Sequence, residues 1–440
     1  MICAALFVML SGVTSPQDAL DAMLLGNPLS SAQEPALIEY GDSFVLPDNS
    51  DMTVNAILRQ FHRMAFGLQP ESVELLNNYI TSNWSILDTE TRNLWREFSG
   101  RTGISVPSDE PFEGNLTSIL RYCSETGTPV PAVNPGNFTA LQRFYFVSSL
   151  SPDEAMSFIS DPCWAVRNAV LLNNPDAAFQ MLDDASPCVR MNAAMAAGRS
   201  DLLMEIASLQ GPLGHMSLAG VDKVPVLEDS LFRSPDPAKR VSALAALLEL
   251  GWQIPADRLD YLLTDEYVMV RAIAADASGR NFAMPADGEL PLETPPIEDV
   301  PDQVLIVTEA GEFTMTLFKE SAPVTCRSFW YLSNTGFYDG IYFHRVIPGF
   351  VAQAGCPQGI GYGGPGYTIP AENNTVPYNR GVVGMADSGK DTGGSQFFIM
   401  LDSQRRLDCR YTAFGVIDQT EQLDNIEIGT RILEIRSVNP

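Results

Sequence analysis

The sequence predicts a multidomain chain: an all-α region of helical repeats followed by a β-rich, barrel-like domain. Its 440 residues exceed what one hydrophobic core holds, since single cores stop growing near about 250–300 residues. Apolar residues recur at three and four through much of residues 52–282, the period of helices. From Val304 the pattern changes to strand-like runs separated by glycine- and proline-marked turns.

Hydrophobic residues make up 45% of the chain, enough to bury sizeable cores. Asp and Glu number 54 against 27 Lys and Arg, and the net charge of −27 would repel a phosphate backbone, so nucleic acid is not an expected partner. The three histidines, His62, His215 and His344, lie too far apart for a His-x-x-x-His metal helix, and no metal or cofactor is expected. Seven cysteines without a C-x-x-C pair read as ordinary thiols and leave the redox compartment open.

Residues 1–15 contain an apolar run, Ile2 to Val13, of signal-peptide length but without a basic n-region. They read as a signal or as a first apolar segment, and the reading leans to a periplasmic or otherwise exported protein over a cytoplasmic one. No other stretch reaches the ~18 apolar residues of a membrane span. Residues 16–137 read as helical and irregular: Val54, Ile57, Leu58, Phe61, Val73, Leu75, Leu76 and Ile80 have helical spacing, whereas prolines and glycines crowd residues 101–137.

Residues 138–282 carry a weak repeat in which Asp, Ser or Pro precedes a basic residue on an Ala-rich helix. Its copies centre on Arg167, Arg190, Arg240 and Arg271. Asp, Ser and Pro start helices, and alanines let neighbouring helices approach. The pattern resembles HEAT-type helical repeats, although the arginine spacings of 23, 50 and 31 residues are irregular. Such an array offers an extended surface for a protein partner. Residues 283–302, rich in Pro, Asp and Glu, read as a semi-rigid linker.

In residues 303–440 the runs Val304–Thr308 and Phe313–Leu317 flank a turn containing Gly311 and form a hairpin. Ser321-Ala322-Pro323 opens a helix whose Phe329 and Leu332 face inward. Three blocks then stand in order: Phe343-His344-Arg345-Val346-Ile347-Pro348-Gly349-Phe350-Val351-Ala352-Gln353, Gly384-Met385-Ala386, and Gly393-Gly394-Ser395-Gln396-Phe397-Phe398-Ile399. Together they resemble the cyclophilin family of peptidyl-prolyl cis/trans isomerases over about residues 303–438.

The resemblance implies a closed, eight-stranded antiparallel β-barrel with two capping helices and an isomerase acting on X-Pro bonds of peptides and folding proteins. It implies Arg345 and Gln353 as catalytic residues. Phe350, Val351, Phe398 and Leu407 match the proline pocket, and Gly361, Ala386, Asp387, Gln396 and Tyr411 match the remaining substrate contacts. The sequence departs from the family pattern at Arg406, which takes the place of an indole, and at Tyr411, Val351 and Asp387, where histidine, methionine and asparagine are usual. His344 reads as structural. The rival reading is a non-catalytic proline-peptide binding module on a helical scaffold, which would have no need of Arg345.

Overall fold

The computed structural model describes residues 70–88, 116–130, 133–207, 211–220, 256–280 and 290–438, with isolated positions between them. The apolar run at 1–15, most of the helical spacing at 54–61, and the first part of the linker, 283–289, lie outside the described residues. The chain divides into two units: residues 1–150 with 373–379 and 403–412, and residues 151–372 with 380–402 and 413–440.

In the first unit, helices α1 (Pro70–Asn83), α2 (Leu116–Thr126) and α3 (Ala140–Ser148) are described. Residues 101–137, read from their prolines and glycines as irregular, thus contain α2. Those residues flank the helix rather than interrupt it, and Gly127 ends it at φ +70°, donating its N–H to the Cys123 carbonyl. Thr139 and Gln142 form a reciprocal capping box that starts α3. Leu120, Phe138, Leu141 and Tyr145 make the core between α2 and α3.

In the second unit, helices α4 (Trp164–Asn173), α5 (Pro187–Ala196), α6 (Ser200–Ala207), α7 (Ala256–Leu262) and α8 (Val268–Ala277) precede the sheet. One device recurs at the starts of α4, α5 and α8. An Asp accepts the N–H two residues on, as at Asp161–Cys163, Asp184–Ser186 and Asp265–Tyr267. Six residues after each Asp an arginine donates back to its carbonyl: Arg167 to Asp161 at 2.7 Å, Arg190 to Asp184 at 2.5 Å and Arg271 to Asp265 at 2.5 Å. Arg240 treats Ser234 the same way at 2.6 Å. Two of these arginines also pair with the Asp of a later turn, Arg167 with Asp184 at 2.7 Å and Arg240 with Asp265 at 2.8 Å. Arg167 and Arg240 therefore each close their own helix start and join it to another.

The strands are β1 (Gln303–Thr308), β2 (Gly311–Leu317), β3 (Arg345–Ile347), β4 (Val351–Ala354), β5 (Val382–Met385), β6 (Phe397–Met400), β7 (Ala413–Ile417) and β8 (Ile432–Ser437). They form one antiparallel sheet in the order β3-β4-β6-β5-β7-β2-β1-β8. Helix α9 (Pro323–Asn334) lays Phe329 on Phe397 and Phe414, with ring centroids 5.5 and 5.2 Å apart. Ala322 offers no capping side chain; Glu372 accepts from the Val324 and Thr325 N–H groups instead.

The expectation of a closed barrel is corrected here, because the sheet is open between β3 and β8. β3 has only three residues, bounded by irregular backbone before Arg345 and by the turn at Pro348-Gly349. The edges meet through one isolated bridge, Tyr342–Arg431, and a few hydrogen bonds such as Phe343 N–H to the Thr430 carbonyl, too little for a ladder. Of two expected helices, α9 forms; the other helical pieces of residues 303–438 are 3₁₀ turns, Arg405–Leu407 and Glu421–Asn425.

Helices of the second unit touch the loop that leads into β8. Trp164 Nε1 donates to the Ile426 carbonyl at 3.2 Å, and Ser186 Oγ donates to Glu427 Oε2. From 290 to 302 the chain is pinned to α9 and its approach: Arg327 donates to the Pro295 carbonyl at 2.7 Å and Lys319 to the Val300 carbonyl at 2.9 Å.

Candidate functional site

Register builds the site. Arg345 on β3 stands opposite Gln353 on β4, Gln353 opposite Phe398 on β6, and Phe398 opposite Gly384 on β5. Directly opposed residues share a face, so a guanidinium, an amide and a phenyl ring stand in one row, with Gly384 next to them.

The turn from β3 to β4 brings Phe350 under the guanidinium, whose central carbon lies 5.6 Å from the ring centroid. Arg345 is exposed, and its Nη1 donates to Gln353 Oε1 at 3.5 Å. Gln353 Nε2 donates to Gln396 Oε1 at 3.1 Å, and Gln396 Nε2 donates to the carbonyls of Gly361 and Gly363 at 2.7 and 2.9 Å. An ordered polar chain thus runs from the 361–363 loop to the arginine. Among the described residues no carboxylate pairs with Arg345, so the guanidinium keeps donors for a ligand.

His344, beside Arg345, is buried. Burial first, and then the charge of Arg345, holds its imidazole down to about 4. It is therefore neutral at pH 7 and adds no second charge at the row. Asp387 is half-buried, and burial raises its carboxyl although a hydrogen bond from Gly389 N–H works the other way.

The structure brings Arg345, Gln353, Phe350, Phe398, Gln396 and Gly361 together through these contacts. Val351 is buried on β4, half-buried Ala386 donates its N–H to the Gln396 carbonyl, and Asp387 follows it. Leu407 and Tyr411 lie in residues 403–412 of the first unit, both half-buried, with exposed Arg406 just before Leu407. There Tyr378 N–H donates to Asp408 Oδ1 at 2.8 Å and the Gln404 N–H to the Tyr378 carbonyl at 2.9 Å.

Two contributors were not among the residues given a catalytic or substrate-contact role from the sequence. Gly363 supplies a carbonyl to Gln396, and a Cβ there would collide with Gln358 Oε1 and lie 3.1 Å from Cys356 Sγ. The Gly-x-Gly-Gly run was the available signal. Gly384 stands opposite Phe398, and a glycine inside a strand pattern marks a close approach.

Residues 303–437 match the family model described as cyclophilin type peptidyl-prolyl cis-trans isomerase/CLD. A peptidyl-prolyl cis-trans isomerase of Synechococcus elongatus is 47% identical over 139 residues, 31% of this chain and 96% of that protein. Peptidyl-prolyl cis-trans isomerase B of Bacillus subtilis is 46% identical over 134 residues, 30% of this chain and 94% of that protein. A crystal structure of a Cryptosporidium parvum cyclophilin type isomerase, 32% identical, aligns with a TM-score of 0.30 over 32% of this chain and 99% of its own.

Proposed function

This chain belongs to the cyclophilin family of peptidyl-prolyl cis-trans isomerases, and we propose from that premise that the row Arg345, Gln353, Phe398 is its catalytic centre. The chain is an isomerase of X-Pro bonds with a role in protein folding. A peptide bond resists rotation by about 18–20 kcal/mol because nitrogen shares its lone pair with the carbonyl, and X-Pro bonds isomerise unaided in tens to hundreds of seconds. Twisting the bond returns the lone pair to the prolyl nitrogen. An always-charged guanidinium donating to that nitrogen favours the twisted state over either planar one.

The observation that carries this assignment is the hydrogen-bonded row across three strands. Gln353 orients Arg345 and can reach a substrate carbonyl, while Phe350, Val351 and Phe398 offer the apolar surface for the proline ring. Gly361, Ala386, Asp387 and Gln396 would receive the residues before proline.

The test is tetrapeptide isomerisation by the Arg345→Lys variant of the full chain. A point charge cannot reproduce the planar fork, so the rate is expected to fall by roughly one to three powers of ten. A wild-type rate in the folded variant would overturn the assignment.

For the helical region we propose HEAT-type repeats and a surface for client chains. The recurring Asp-to-Arg closure supports the repeat, and Leu172 and Phe179, 70% and 68% exposed, support the surface.

A further inference from the structure

The family match covers residues 303–437 alone, yet the helices before it touch the loop from which the site's polar chain starts. Ile360 packs against a core formed by Ala207, Leu218, Phe232, Val241, Leu262 and Val270 of the helical region, with further neighbours. Pro212 lies 3.8 Å from where a Cβ on Gly359 would stand. Gly363 N–H donates to the buried Cys356 Sγ at 3.2 Å, closing residues 356–363 into a loop.

The same loop faces the site with two carbonyls. Gly361 and Gly363 accept both N–H bonds of the Gln396 amide, at 2.7 and 2.9 Å. A flipped amide would aim its oxygen at two carbonyl oxygens, so Gln396 must present Oε1 to Gln353. Gln353 then donates through Nε2 and must present Oε1 to Arg345. The loop carbonyls set the direction of every bond in the chain and leave an acceptor, not a donor, beside the guanidinium.

We propose that Ile360 is a positioning residue through which the helical region holds the loop carbonyls, and through them Gln396, Gln353 and Arg345, in catalytic alignment. The proposal rests on Arg345 and Gln353 being catalytic. It makes the helices part of the isomerase site's support rather than only a place to hold clients.

The experiment is a double-mutant cycle in the full chain, read by tetrapeptide isomerisation with kcat and KM separated. Ile360→Ala empties the anchor, and small displacements at a site cost up to about 100-fold, so kcat is expected to fall by about tenfold with KM unchanged. Ile360→Val should keep most of the rate. Introduced beside Gln396→Ala, which already breaks the chain, Ile360→Ala should cost nothing further. Met191→Ala, a buried helical change outside the Ile360 core, should lower thermal stability while leaving kcat alone. Full kcat in Ile360→Ala, or the same tenfold loss with Gln396 already removed, would overturn the proposal. If Ile360→Ala does not fold, Ile360→Thr enters the same cycle with the same two outcomes. Full activity of Gln353→Ala would overturn the site assignment itself, whereas a damaged Gln353→Ala beside an intact Ile360→Ala overturns only the positioning role.

Discussion

The helices at residues 161–277 and the sheet at 303–438 solve the same problem, fixing an arginine in place, in opposite ways. In the helical region half-buried Arg167 and buried Arg240 bond to carbonyls and carboxylates, so their charge holds one helix start to another. On the sheet, Arg345 is exposed and restrained by one amide and one ring, and its remaining donors face outward. A saturated guanidinium is architecture; an oriented but unsaturated one can act on a ligand.

Breaking the saturated kind should have the largest effect on stability. Arg167→Ala strands the Asp184 carboxylate, 7% exposed, and uncaps the turn at Asp161, so we expect a loss of about 3–5 kcal/mol in urea unfolding. Replacing both partners, Arg167→Met with Asp184→Leu, should cost far less. Equal losses in the two variants would mean that the pair is not what joins the turns.

The sheet responds to protons. His344 titrates near 6.5 unfolded and near 4 folded, so between those values the unfolded chain takes up a proton that the folded one refuses. Stability should fall as pH drops from 6.5 towards 4, by at most about 3 kcal/mol, and His344→Gln should flatten that stretch of the urea-midpoint profile. An unchanged slope in the variant would show that the imidazole is not held neutral.

The smallest stability effect is expected at the helical surface. Leu172→Ser with Phe179→Ser should stay within about 0.5 kcal/mol per change and leave tetrapeptide isomerisation intact, while weakening suppression of aggregation of an unfolded client. Unaltered suppression would remove the client surface from the account.

The site was legible in sequence to the extent that it is linear. Arg345, Phe350 and Gln353 fall within one hairpin, and Gln396 and Phe398 fall in a second block that pairs with it, so strand register alone assembles the row. The closed barrel was not, because closure depends on whether the short strand at Arg345 can extend a ladder to Ile432, which no local pattern reports. In the helices, the six-residue step from Asp161 to Arg167, Asp184 to Arg190 and Asp265 to Arg271 was present in the letters, but unequal repeat lengths hid it. The seat of Ile360 was beyond reach: a lone isoleucine between glycines carries no period, and its partners lie far away in sequence.

The central claim, that Arg345 acts on the twisted prolyl nitrogen while the apolar residues do the gripping, is tested most directly by exchange spectroscopy on a proline tetrapeptide with Arg345→Ala. One titration yields both the affinity and the cis–trans exchange rate on the protein. Affinity is expected within about threefold of wild type and the exchange rate lower by roughly one to three powers of ten, the loss of a hydrogen bond made only in the transition state. Exchange at the wild-type rate, or a loss confined to affinity, would contradict it.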